Sequence, residues 1–108
     1  KEGVTAVFFI IVRMAGGAYA YFREQGIRVG EDISVAGFDN HELARFCSPG
    51  LTTMELPLND IGAEAAAILL ERLETEGESL PNAVLERSMP CRLIERESVK
   101  RIVLSCDA

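Results

Sequence analysis

Thr5-Ala6-Val7-Phe8-Phe9-Ile10-Ile11-Val12 is the stretch on which the fold turns. β-Branched and aromatic residues fill it, and after Thr5 no polar residue alternates with the apolar ones. A strand with one wet face alternates, whereas a strand covered on both faces does not. The run therefore reads as a strand of a parallel sheet, buried on both sides. Arg13 to Gln25 follows, with Met14, Ala18, Tyr21 and Phe22 at helical spacing, and Gly26 stands where a helix ends on a left-handed residue. Gly16-Gly17 weakens that helix by around 1 kcal/mol per glycine relative to alanine. Close packing of the first turn is the expected reason for the pair.

Moving outward, Ile27 to Asp32 is a connection and Ile33-Ser34-Val35-Ala36-Gly37-Phe38 a second short apolar strand. His41 to Phe46 fits a short helix with Asp39 or Asn40 as N-cap. Ser48-Pro49-Gly50 is a turn, and Leu51 to Leu56 a third strand stopped by Pro57. Leu58 to Thr75 reads as a long helix from the spacing of Ile61, Ala65, Ile68, Leu69, Arg72 and Leu73. Gly77 ends it, and Glu78 to Asn82 is a polar loop. Val84 to Met89 and Cys91 to Glu95 read as two closing strands parted by Pro90. Ile102-Val103-Leu104 fits a last strand or a loose end. Helices alternating with strands define an α/β architecture with a doubly wound, mainly parallel sheet.

The chain has 108 residues, 48 % hydrophobic and 26 % charged, with a net charge of −6. That is the composition of a folded domain rather than a disordered chain. The acidic balance argues against a surface that wraps nucleic acid. The longest apolar run, Val7 to Val12, is too short to span a membrane, and no secretory pattern is visible at the start. Cys47, Cys91 and Cys106 are odd in number and widely spaced, which argues against a disulfide framework and suits a reducing, cytoplasmic setting. One histidine, His41, and no CxxC make a zinc site improbable. Catalytic patterns fail on inventory: there is no GxSxG, no Walker loop and no GxGxxG. The reading is a non-enzyme without cofactor.

Three segments, in order, resemble the LacI/GalR family of bacterial transcription regulators. Gly26-Ile27-Arg28-Val29-Gly30-Glu31-Asp32-Ile33-Ser34-Val35-Ala36-Gly37-Phe38-Asp39-Asn40 looks like the family's GxxVPxDisvvGfDn stretch, with Gly30 where proline is usual. Ser48-Pro49-Gly50-Leu51-Thr52-Thr53, with Pro57 and Ile61-Gly62, looks like the family's sPpLTT segment and the residues after it. Arg92-Leu93-Ile94-Glu95-Arg96-Glu97-Ser98 resembles the closing LivReSt. Together they run from residue 5 to about 99.

The resemblance implies the last third of a two-lobed, periplasmic-binding-protein-like effector domain. On that reading residues 1–48 resemble the C-terminal lobe, 49–80 the N-terminal lobe and 81–99 the closing strands. The family's DNA-binding headpiece has no counterpart in these residues, so DNA contact is expected only through a headpiece outside them. A chain that contributes to two lobes and completes neither should expose apolar surface, so the sheet is expected to be completed by self-association, as a homo-oligomer.

By the same resemblance Asp39 accepts hydrogen bonds from a small effector, a sugar or a nucleobase. Asn40 beside it is a second ligand candidate, although either residue would also serve as a helix cap. Gly16, Ala44, Phe46 and Cys47 match the family's dimer interface, with core packing an equal reading for Phe46. Departures are visible. Ile11 and Val12 stand where the family's aNDxmAlG motif has Asn-Asp, and Leu56 stands at another polar contact. Apolar residues cannot supply those hydrogen bonds, so the effector site is expected to be impaired. The alternatives are a structural or engineered self-association module without ligand, and a fragment of a transport-type sugar-binding protein.

Overall fold

Four strands lie side by side in chain order in the computed structural model, which describes residues 3–74 and 86–103. They are β1 (Ala6–Phe8), β2 (Ser34–Phe38), β3 (Thr52–Glu55) and β4 (Arg92–Ile94). β1, β2 and β3 are parallel, with Val7 opposite Val35 and Gly37 opposite Thr53, while β4 returns antiparallel to β3 with Glu55 opposite Arg92. Three helices separate them: α1 (Val12–Glu24), α2 (Leu43–Phe46) and α3 (Leu58–Glu74). The mainly parallel α/β architecture read from the alternation is thus present.

The described chain divides into two units. One runs up to Glu55 and resumes at Arg92; the other is Leu56–Cys91. In the first, Val12, Ala15 and Tyr19 of α1 meet Val35 of β2, Ala44 of α2 and Leu51 to form the core. Phe9, Phe22 and Cys47 pack against it. These α1 residues lie at i, i+3 and i+7, one face of a helix. The stripe therefore sits one step away from the expected one, since Met14 and Tyr21 are about half exposed. Helix α1 ends as Gly26 implied. Gly26 has φ +72°, its N–H donates to Arg23, and the Ile27 N–H donates to Phe22, the double bond of a Schellman motif.

Several expectations are corrected. β1 is shorter than Thr5 to Val12 and is not buried on both faces: Phe8 is 58 % exposed. The physical reason is position, because β1 is the edge of the sheet and the chain turns into α1 at Val12, leaving Ile10 and Ile11 outside. Gly16 and Gly17 are exposed, and a Cβ at either would touch nothing, so close packing does not explain them. Helix α2 begins at Leu43 and neither Asp39 nor Asn40 caps it; the His41 Nδ1 accepts the Leu43 N–H at 3.3 Å instead. Glu86 to Met89 forms no strand, and Val84 and Leu85 lie outside the described residues. The stop at Gly77 and the loop Glu78 to Asn82 lie outside them too. Ile102 and Val103 have no regular structure, and Leu104 is not described.

The segment after β4 locks the first unit. Ser98 is fully buried, its N–H donates to Gly50 at 3.1 Å, and its carbonyl accepts the Val35 N–H at 2.9 Å. Its hydroxyl donates to the Val35 carbonyl and accepts the Thr52 N–H at 2.8 Å. The departure at residue 30 belongs to the same docking. Gly30 has φ +86°, which proline cannot adopt, and a Cβ there would collide with the Glu97 carbonyl.

In the second unit α3 carries no buried residue. Ile61, Ala65 and Ile68 line one wall of a groove of about 310 Å³, with Met89 and Cys91 opposite and the Glu64–Arg87 ion pair (3.0 Å) on its rim. Leu69, Leu70 and Leu73 remain more than half exposed.

Candidate functional site

Open parallel sheets bind ligands at the carboxyl ends of their strands. β2 ends there at Phe38, and the next two residues, Asp39 (φ 96°) and Asn40 (φ 38°), both take left-handed backbone conformations. Such geometry is uncommon outside glycine, with Asp and Asn the residues that tolerate it best. The Asp39 N–H donates to the Met54 carbonyl at 3.0 Å, which pins the turn to β3.

The two side chains have different situations. Asn40 is occupied at both ends of its amide: Nδ2 donates to Glu55 Oε2 at 2.8 Å, and Oδ1 accepts from the Arg96 guanidinium at 2.9 Å. The Asp39 carboxylate, partly buried, has no hydrogen-bond or ion-pair partner among the described residues. Asp39 is therefore the acceptor left free, and Asn40 is not.

Arg96 reaches further. Its guanidinium also donates to the Leu51 carbonyl at 2.7 Å, and its backbone N–H donates to Thr52 Oγ1 at 2.9 Å. A Cβ on Gly50 would stand 3.0 Å from the Arg96 Cδ, so the glycine leaves room for the arginine stem. Glu55 accepts a second charge-assisted bond from Arg92 at 2.7 Å. The Asn40 amide and the Arg92 guanidinium together hold the Glu55 carboxyl below the usual range.

The apolar departures separate as well. Val12 is 2 % exposed and belongs to the core, whereas Ile11 is 46 % exposed and occupies the N-cap position of α1 without a side-chain cap. An asparagine there would accept a first-turn N–H. Leu56 is half buried and opens the second unit.

The four interface candidates also differ. Gly16 is exposed and Phe46 is 72 % exposed with the Arg45 guanidinium 5.5 Å from its ring, so Phe46 is not a core residue. Ala44 is fully buried in the core and presents no surface. Cys47 is half buried; burial pushes its thiol pKa up, against the opposing charge of Arg96. Among the described residues no cluster of His, Cys, Asp and Glu would hold a metal ion, and no helix is long and apolar enough to cross a membrane.

Sequence reasoning singled out neither Arg96 nor Glu55 individually. The available signal was an arginine and a serine two positions apart directly after a short closing strand, in the segment quoted as a family marker.

Residues 3–99 match the periplasmic binding protein-like domain, and the chain belongs to that family. Within it, these residues correspond to the C-terminal part of the effector-binding region of LacI-type regulators. The HTH-type transcriptional repressor CytR of Escherichia coli is 41 % identical over 98 residues, covering 91 % of this chain and 28 % of that protein. A LacI family transcriptional regulator from Enterococcus faecalis, solved with bound ribose, superposes with a TM-score of 0.78 at 33 % identity, over 92 % of this chain and 36 % of that one. The lac repressor dimer, solved on its operator with an anti-inducer, gives 0.73 at 31 % identity over 90 % and 32 %. The chain thus spans about a third or less of the length of these relatives.

Proposed function

We propose that this chain carries part of the effector-sensing and self-association machinery of a LacI-type transcription regulator. The observation that carries the reading is the unpartnered Asp39 carboxylate, held in a left-handed turn at the carboxyl end of a parallel strand. A free acceptor in that position suits a ligand hydroxyl or ring N–H, which needs a partner when it is desolvated. The ribose in the E. faecalis relative favours a sugar, with a nucleobase as the second class. Asn40 serves the site by holding the turn rather than by touching ligand. Exposed Ile11 weakens the site relative to the family's polar pattern.

On this reading residues 1–48 belong to the C-terminal lobe, 49–80 to the N-terminal lobe and 81–99 are the closing strands. Gly16 and Phe46, with Cys47 at their margin, belong to a two-fold surface, which presents the same patch on both copies. The role is regulatory and non-catalytic, in the cytoplasm. Effector shifts DNA affinity by preferring one arrangement, and DNA is touched by a headpiece outside these residues.

Thermal unfolding with and without ribose, hexoses and nucleobases tests the reading. A ligand at a hundred times its Kd stabilises the folded state by ~2.7 kcal/mol. One ligand class should raise the midpoint, and Asp39→Asn should abolish that rise. A cooperative melt that no ligand moves would refute effector binding and favour the self-association module.

A further inference from the structure

We infer that Asn40 is a positioning residue, clamped between Arg96 and Glu55 so that it aims the Asp39 carboxylate and ties it to the ends of β3 and β4. The inference rests on the reading of Asp39 as the ligand acceptor and adds what sets its geometry.

Two successive non-glycine residues at positive φ, Asp39 and Asn40, persist only where the surroundings over-determine them. Three bonds do so here. The Asp39 N–H is held by Met54. The Asn40 amide is held at Nδ2 by Glu55 and at Oδ1 by Arg96. With a donor and an acceptor both engaged, the amide has one orientation, and the backbone it hangs from has little freedom left. The neighbouring carboxylate points from a fixed turn without spending its own acceptors.

The far ends of the clamp are not arbitrary. Glu55 and Arg92 are a cross-strand pair joined at 2.7 Å. They are also the residues at which the chain leaves and re-enters this unit. Arg96 grips the start of β3 through the Leu51 carbonyl and Thr52 Oγ1. The clamp therefore joins the Asp39 turn to β3 through Glu55 and to the segment after β4 through Arg96.

The test uses Asn40→Gly, because glycine takes positive φ without steric cost and keeps the turn while deleting the amide. Arg96→Lys is the second variant: lysine lacks the planar fork that donates to Leu51 and Asn40 together. Amide hydrogen exchange is read at Asp39, whose N–H is bound by Met54, against Val35, whose N–H is bound by Ser98. Each variant should speed exchange at Asp39 at least ~10-fold and leave Val35 unchanged. Exchange at Asp39 that does not change, or that rises equally at Val35, overturns the inference. Ribose is then titrated in the melt. A midpoint shift present in the original chain and lost in Asn40→Gly supports the aiming role, and an equal shift in both overturns it. If ribose, hexoses and nucleobases shift neither protein, the ligand reading of Asp39 falls, while the exchange result still decides whether Asn40 orders the turn.

Discussion

Replacing Ser98 by alanine removes one oxygen atom from the middle of the first unit, and its cost can be worked from the bonds that atom makes. The hydroxyl accepts the Thr52 N–H at 2.8 Å and donates to the Val35 carbonyl, so it bridges β3 and β2 from a fully buried position. The backbone bonds of Ser98 to Val35 and Gly50 are untouched by the change, so the segment stays docked and the hydroxyl is isolated as the variable. Loss of the bond to Val35 costs about 1 kcal/mol net. The Thr52 N–H is left buried and unpaired, which costs a further ~1–3 kcal/mol. The expected loss is ~2–4 kcal/mol, or about 8–16 °C in Tm for a domain of this size. Urea unfolding followed by far-ultraviolet circular dichroism measures it, with an unchanged slope showing that the loss is one of stability. Ser88→Ala, at an exposed position outside any element, is the control and should lie within ~0.5 kcal/mol of the original. A loss at Ser98 below ~1 kcal/mol would show that water or a shifted carbonyl satisfies Thr52, and the account of Ser98 as the strand bridge would be wrong.

Thr53 makes the opposite prediction: it is 1 % exposed, and its hydroxyl has no hydrogen-bond partner among the described residues. Thr53→Val keeps the shape and deletes an unpaired polar atom, so it should raise stability by ~1 kcal/mol in the same urea assay, and a loss of that size would mean the hydroxyl is satisfied after all. Burial, and after it the neighbouring Cys47, pushes the Tyr19 pKa up to about 12 from 10.0, and its hydroxyl donates to Pro49 at 2.9 Å, a bond only the neutral phenol makes. A raised pKa means that the folded state holds the proton more tightly, so this contribution, up to about 2–3 kcal/mol, is complete below pH ~10 and is lost as pH rises towards 12. Ultraviolet titration of a Tyr21→Phe variant isolates Tyr19, and ionisation at the ordinary phenol value would refute the buried assignment.

What was legible in the sequence was local. Gly26 ends α1 because a left-handed cap needs only its own residue and the turn before it. β2 and β3 follow from short apolar runs bounded by breakers, and the parallel sheet from their alternation with helices. Burial was less legible, because it depends on what lies across from a residue. Phe8 and Ile10 have the same apolar character as Val35, yet β1 is the sheet edge and β2 is flanked on both sides. The stripe of α1 slipped for a similar reason. Met14 and Tyr21 satisfy helical spacing as well as Ala15 and Tyr19 do, and the sheet and α2 decide which set turns inward.

The candidate site divides along the same line. Asp39 could be singled out because it stands in a recognisable stretch at the end of a strand. The partners that fix its turn could not, since Glu55 lies 15 residues from Asn40 and Arg96 lies 56. A cap or a contact is what sequence suggests for Asn40, because both are jobs for a short amide near its own backbone. In the structure the same two polar ends bond to Glu55 and Arg96, far away in the chain. The family-like segments at Leu51-Thr52-Thr53 and Arg96-Glu97-Ser98 thereby acquire a physical account: each supplies the other's hydrogen-bond partners. A polar residue at a strand end is informative, then, chiefly as half of a pair. Arg96 becomes legible only as the donor that the Asn40 amide oxygen requires.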